Sequence, residues 1–257
     1  MVEWFRPNLA GPTSGDAVSE PQAMERAVVR GMKPVRRVAQ VLLVLALAGC
    51  AGAPVFDGEA RQVNLFTEER LLLTADYVGR HYGSETPELR EPRMVVLHYT
   101  AFGTLKESLR FFVPARLDGD ARRDIRSGGE VNVSAHYLVD TDGTVYQLAP
   151  ENVICRHTIC FNHVAIGIEN VGKGAASLTE RQAEANAALV RRILARHPSV
   201  TYLIGHQEYR DSSLPHHALC REDDPTYAFT DKIDPGAAFL KRVRAILRER
   251  YGIVLKD

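Results

Sequence analysis

The chain is expected to fold as an α/β domain in which a mixed central β-sheet is flanked by helices. Three features carry that expectation. Apolar runs of strand length occur at 94–97, 164–168 and 201–204, while longer stretches of helical periodicity occur at 67–82, 104–113, 178–196 and 237–251. Between two further β-rich runs, Asp140-Thr141-Asp142-Gly143 spells a hairpin turn, so at least one strand pair is antiparallel. Strands and helices also mix without strict alternation, which favours a mixed sheet over an all-parallel one.

Each element has its own signals. Thr67 suits a helix N-cap, Glu68 and Glu69 suit the first turn, and Gly83 ends the helix. Met94 to Leu97 reads as a short buried strand running into His98. Thr104 to Val113 reads as an amphipathic helix stopped by Pro114, and 115–131 as a charged, Gly-rich surface loop in which Arg116 to Arg126 face water. Val133 to Val139 and Thr144 to Leu148 are the hairpin strands, and Val164 to Ile168 is another strand, ending at Glu169. A helix over Leu178 to Arg196 is capped by Thr179 or Ser177 and stopped by Pro198. Thr201 to Ile204 leads into Gly205-His206, a long loop spans 207–231, and Ala237 to Tyr251 forms the last helix. No internal repeat is visible.

The N-terminal part reads differently. Lys33, Arg36 and Arg37 precede an apolar run from Val41 to Leu47, then Leu47-Ala48-Gly49-Cys50. A basic n-region, a short h-region and small residues before a cut make a secretory signal. The run is shorter than the ~20 residues a membrane span needs. Leu-Ala-Gly-Cys resembles the bacterial lipobox, which implies cleavage before Cys50 and a lipid on its sulfur. Residues 1–31 are polar and featureless, so Met32 is the expected start, with a cytoplasmic extension as the alternative. The expected organisation is therefore 1–49 as extension and signal, 50–66 as lipidated cysteine and linker, and 67–257 as one domain.

Charge excludes one class of partner. Lys and Arg number 32, as do Asp and Glu; six of the basic and four of the acidic residues precede Cys50, leaving a net charge of −2 from there on. Nothing here suggests nucleic acid. Beyond Cys50 the cysteines are Cys155, Cys160 and Cys220. Export permits a disulfide; Cys155 and Cys160 are close enough for a small loop, and one thiol stays free. No C-x-x-C spacing marks a cysteine metal cluster.

The residues with chemical potential sit at element ends. His98, Glu169 and His206 each directly follow an apolar strand, and Asp234 opens an Asp-Pro-Gly turn. Side chains at strand ends on one rim can converge on a cleft. Two imidazoles and a carboxylate make a three-ligand zinc site with a fourth position open to water. Zinc so bound lowers the pKa of its water to about 7 and polarises a carbonyl. Glu169 could then take a proton and pass it to a leaving amine, and Lys232 could face a developing oxyanion. With nine histidines in the chain, spacing alone is weak support for this set.

The surrounding words are more specific. Val96-Leu97-His98-Tyr99-Thr100, Ser134-Ala135-His136-Tyr137 with Asp142-Gly143-Thr144-Val145-Tyr146, Ile166-Gly167-Ile168-Glu169-Asn170, Ile204-Gly205-His206 and Lys232-Ile233-Asp234-Pro235-Gly236 occur in that order. Together they resemble the motifs of the type 2 amidase and peptidoglycan-recognition superfamily. The resemblance implies a single peptidoglycan-recognition-like amidase domain with zinc on His98, His206 and Asp234, Glu169 as general base and Lys232 stabilising the transition state. It implies cleavage between N-acetylmuramic acid and L-alanine in peptidoglycan or muropeptides. With the lipobox, the chain looks like the outer-membrane lipoprotein amidases, anchored by lipid and facing the periplasm. Non-catalytic members of the superfamily typically lack a zinc ligand, whereas every ligand position is filled here. A zinc peptidase is disfavoured because H-E-x-x-H is absent.

Two departures stand out. His206 and Asp234 are further apart than in many relatives, and the insert 208–231 between them is expected to lie over one side of the cleft. Arg156-His157 stands where several relatives have Trp-His, so His157 is expected to line the cleft without being a ligand, and Tyr99 is a second candidate substrate contact. His136 is expected to be a hydrogen-bonded structural residue, and His216-His217 a solvated loop pair. Preference for sacculus or anhydro-muropeptides, and oligomeric state, stay open.

Overall fold

Six strands hydrogen-bond into one sheet in the computed structural model, which describes residue 56 and residues 58–257. The signal-like segment, Cys50 and the first part of the expected linker lie outside the described residues. In chain order the elements are β1 (Arg61–Gln62), α1 (Glu68–Tyr82), β2 (Met94–Leu97), α2 (Leu105–Phe112), β3 (Tyr137–Val139), β4 (Val145–Gln147), β5 (Ala165–Asn170), α3 (Glu180–Arg196), β6 (Tyr202–Gly205) and α4 (Ala237–Tyr251). The sheet order is β1-β4-β3-β5-β2-β6. The β3–β4 hairpin is antiparallel and every other pairing is parallel. The expected mixed α/β architecture is what forms.

β2 is wholly buried between β5 and β6. That is why it reads as an unbroken apolar run rather than an alternating one. The register is the decisive feature for function. Leu97 pairs with Ile168 on one side and Gly205 on the other. One step further along all three strands stand His98, Glu169 and His206, side by side on one rim.

The helices follow their caps. Thr67 accepts from the Arg70 amide, and Gly83 closes α1 in the left-handed region at φ 57°. Thr104 accepts from the Glu107 amide at the start of α2. Thr179, not Ser177, caps α3, in a reciprocal box with Gln182. α3 and α4 pack together, joined at the surface by Glu180–Arg242 and Glu184–Arg250 ion pairs. Buried Gln182 ties α3 to the sheet by donating to the carbonyls of Val139 and Val171. α2 closes a second apolar cluster, in which Phe112 packs with Leu65, Leu138, Leu148 and Cys155. No helix among the described residues is long and apolar enough to cross a membrane.

Several expectations need correcting. The ordered domain begins before residue 67: β1 pairs with β4 and Leu65 is buried, so the end of the expected linker is part of the sheet. The strand expected from Val133 starts only at Tyr137, because Asn132 and Ser134 bond instead to the carbonyls of Ala115 and Arg156. Cys155 and Cys160 do not form a small loop. Cys160 is joined to Cys220, 60 residues away, and Cys155 stays a free, buried thiol. Cys155 faces the α2 cluster, where burial pushes its thiol up to about 12. His216 is not solvated; it is fully buried against Phe161. Nor is the 116–126 run all surface: Ile125 is buried and Arg122 faces the cleft described next.

Candidate metal centre and catalytic cleft

A cleft of about 360 Å³ opens at the rim where β2, β5 and β6 end. Its floor holds His98, Glu169, His206 and Asp234. The register delivers the first three, and the fourth arrives from the segment before α4. There the Gln207 amide donates to the Asp234 carbonyl at 2.8 Å, tying Asp234 to the residue after His206.

Three atoms form a near-equilateral triangle. Nδ1 of His98 lies 3.0 Å from Nδ1 of His206, and each lies 3.2 Å from Oδ2 of Asp234. Zinc–nitrogen bonds of about 2.0–2.1 Å in a tetrahedron separate neighbouring ligand atoms by about 3.3 Å. The donor set and its spacing therefore fit a zinc ion, and this is the group of histidine, cysteine and acidic side chains among the described residues that could hold one. The electrostatics agree. Burial, with His98 beside it, lowers the His206 pKa to about 4, leaving its ring neutral. Burial opposes ionisation of Asp234, but His206 and His98 outweigh it and hold this carboxyl well below the usual range. Neutral imidazoles and an ionised carboxylate are the ligating forms.

Glu169 is not part of the triangle. It is the penultimate residue of β5, not the residue after a strand, and its Oε2 is buried without a hydrogen-bond partner. Burial, reinforced by Asp234 and opposed by His98, raises its pKa to about 7. A carboxylate so poised suits proton transfer near neutrality. Lys232 lines the same cleft, 4.0 Å from Asp124. Tyr99 lines it too, half-buried, with its phenol pKa raised by burial and by Asp234.

His157 stands directly behind His98, Nδ1 to Nε2 at 3.1 Å, and lines the cleft without joining the triangle. His136 is structural as expected, its Nδ1 accepting from the Gly167 amide and its Nε2 bonded to the Val153 carbonyl. Tyr137 points elsewhere, donating to Glu151 at 2.6 Å.

Phe102, Phe111, Arg122, Tyr227 and Thr230 also line the cleft, and no motif in the sequence marks them. Arg122 lies over the Phe111 ring, which packs in turn, tilted by 47°, against Phe102. Nothing local distinguishes Arg122 from the charges around it; only the folding of 115–131 against α2 brings it in. Tyr227 and Thr230 confirm that the 208–231 insert walls one side. Arg156 secures that wall from beneath, donating to the carbonyls of Ile125, Gly129 and Val131 and to the Tyr227 hydroxyl. The position that departs from Trp thus holds a buried guanidinium that knits two loops together.

Known proteins resemble the chain in sequence family and in structure. The family described as N-acetylmuramoyl-L-alanine amidase matches residues 88–237. No curated protein matches the chain. Among solved structures, the chain is similar to the N-acetylmuramoyl-L-alanine amidase LysC from Clostridium intestinale URNW at 22% identity and a TM-score of 0.40, covering 62% of this chain and 89% of that one. A selenomethionine derivative of AmpD aligns at 20% identity and a TM-score of 0.47, over 76% of this chain and 98% of that one. Human PGRP-IBETAC, solved with glycosamyl muramyl pentapeptide, aligns at 18% identity and a TM-score of 0.41, over 60% and 84%.

Proposed function

The chain belongs to the N-acetylmuramoyl-L-alanine amidase family, and from that premise we propose that it is a zinc-dependent hydrolase of the amide joining the lactyl group of N-acetylmuramic acid to L-alanine. The observation that carries the reading is the triangle of His98, His206 and Asp234 beside Glu169, whose buried Oε2 has no hydrogen-bond partner. Zinc, when bound, supplies a water of pKa about 7 and a Lewis acid for the scissile carbonyl.

The chain's own residues do the rest. Glu169 accepts a proton from the attacking water and returns it to the departing nitrogen, so that water adds across the amide to give a lactyl carboxylic acid and a free L-alanine amine. Lys232 donates to the oxygen on which negative charge develops. Tyr99, at the mouth, contacts the substrate alongside, and His157 lines the cleft behind His98. The substrate is peptidoglycan or its muropeptides. Leu47-Ala48-Gly49-Cys50 supports a lipid anchor on Cys50 and placement on the outer membrane, facing the periplasm.

The test is digestion of purified sacculi and of anhydro-muropeptides, with products read by mass spectrometry. Intact stem peptides starting with L-alanine, together with glycan bearing a free lactyl carboxyl, are expected. Peptides cut internally, or full turnover after zinc is stripped, would overturn the reading.

A further inference from the structure

We propose that His157 is a positioning residue for the metal centre: it accepts a hydrogen bond from His98 and thereby holds His98 in the one tautomer that can ligate. The proposal rests on the ligand set given above. A neutral imidazole carries a single N–H. Nδ1 of His98 belongs to the triangle with His206 and Asp234, so as a ligand it must be bare and the proton must sit on Nε2. That Nε2 points at Nδ1 of His157, 3.1 Å away.

The surroundings of His157 make its Nδ1 an acceptor. Its Nε2 faces the carbonyl of Ala165 at 3.4 Å. A carbonyl can only accept, so the His157 proton resides on Nε2 and Nδ1 presents a lone pair. The Thr158 hydroxyl lies 2.8 Å from the same Nδ1 and shares its single lone pair with His98 in a three-centre contact. A relay results: Ala165 carbonyl, His157, His98, ligand triangle. Its direction is set by the backbone. Ligating histidines commonly donate their second N–H to a carboxylate, a carbonyl or water. Here the acceptor is a neutral imidazole, which orients His98 without adding a negative charge beneath the site.

Two further features hold His157 in register. Asn162 Oδ1 accepts from the amides of His157 and Thr158, at 2.9 and 2.7 Å, while its side-chain amide donates to Tyr77. The imidazole also lies against Gly167 of β5. A Cβ there would come within 2.9 Å of three atoms of the His157 ring. Only glycine lets the ring approach the strand that carries Glu169 two residues later. The His157 ring is thus set by the sheet that sets the catalytic rim, which a side chain serving only to fill space would not require.

The experiment measures zinc affinity of the full chain by competition with a chromophoric chelator, with the melting temperature of the metal-free protein alongside. His157→Phe keeps a ring but removes the acceptor; His157→Gln keeps an acceptor oxygen; Gly167→Ala displaces the ring. Loss of such an outer partner costs about 10–100-fold in metal affinity. That loss is expected for His157→Phe and Gly167→Ala, with most of it recovered in His157→Gln; metal-free melting should change little in the two His157 variants and fall in Gly167→Ala, where the added Cβ meets the ring. Affinity within about twofold of the parent in His157→Phe, or equal losses in Phe and Gln, would overturn the proposal. Nitrogen-15 NMR of the unaltered, zinc-loaded chain gives a check that needs no variant: His157 must carry its proton on Nε2, and the reverse tautomer would sink the idea. If the unaltered chain binds no zinc at all, it is the ligand set that fails, and this inference falls with it.

Discussion

The Nδ1 atoms of His98 and His206 face each other at 3.0 Å, and both meet the same carboxylate oxygen of Asp234. A single cation at the centre of the triangle would satisfy all three of these atoms at once. Chelation is therefore expected to abolish turnover and zinc to restore it. His98→Ala, His206→Ala and Asp234→Ala are each expected to lose bound metal as well as activity, read by metal analysis of the purified variants. A variant that keeps stoichiometric zinc would remove that residue from the ligand set.

Glu169→Gln should separate chemistry from metal binding. Zinc content should persist while kcat falls about 10²–10⁴-fold, the worth of a positioned general base. If Glu169 were only a packing residue, turnover would survive and melting would drop instead.

The same residue predicts a pH dependence. The Glu169 pKa is raised from 4.5 to about 7 by burial. As a base it must be ionised, so activity should rise with pH, with an acid limb at or below about 7, since a bound cation draws the value down. The stability sign is opposite. Between about 4.5 and about 7 the folded metal-free protein holds a proton that the unfolded chain has lost, so stability falls as pH rises through this window. Above it the full cost applies, up to about 3 kcal/mol. Metal-free Glu169→Gln should consequently melt higher than the parent at pH 8, with the difference shrinking toward pH 4. A constant difference across that range would refute the linkage.

Lys232→Ala is expected to lose roughly 10²–10³-fold in kcat while retaining zinc, as for removal of one oxyanion donor. Steady-state kinetics on a muramyl peptide decides it. An effect confined to KM would make Lys232 a substrate-binding residue instead.

The Cys160–Cys220 disulfide fastens the insert, which carries Tyr227 and Thr230, to the loop that carries His157. Its removal by Cys160→Ser with Cys220→Ser should cost roughly 2–4 kcal/mol and lower Tm by roughly 5–15 °C. Calorimetry under oxidising and reducing conditions checks it, and reduction should leave the double variant unchanged.

Cys50→Ser should prevent lipidation, so that the protein no longer fractionates with outer membranes. Wild-type protein found in the cytosol would contradict the proposed address.

Element types and the identity of the rim residues are legible in the order of amino acids alone. Met94–Leu97, the Asp-Gly hairpin and the Thr67 cap are local signals, set by side-chain period and short-range hydrogen bonds, and the structure follows them closely, while it is the structure that selects Thr179 over Ser177. The five motif words also named His98, Glu169, His206, Lys232 and Asp234, which all line one cleft. Other features depend on residues far apart in the chain and emerge only on folding. β1 is too short to declare itself and exists because β4 offers an open edge. Cys160 chose Cys220 over its near neighbour Cys155 because their side chains face different cores. Arg122 was one charge in a run until the 115–131 loop folded over α2. The parallel register that sets Leu97 between Ile168 and Gly205, and so brings three strand ends to a single rim, is invisible in any one segment. It arises when apolar faces are buried together, and no stretch of sequence encodes that alone.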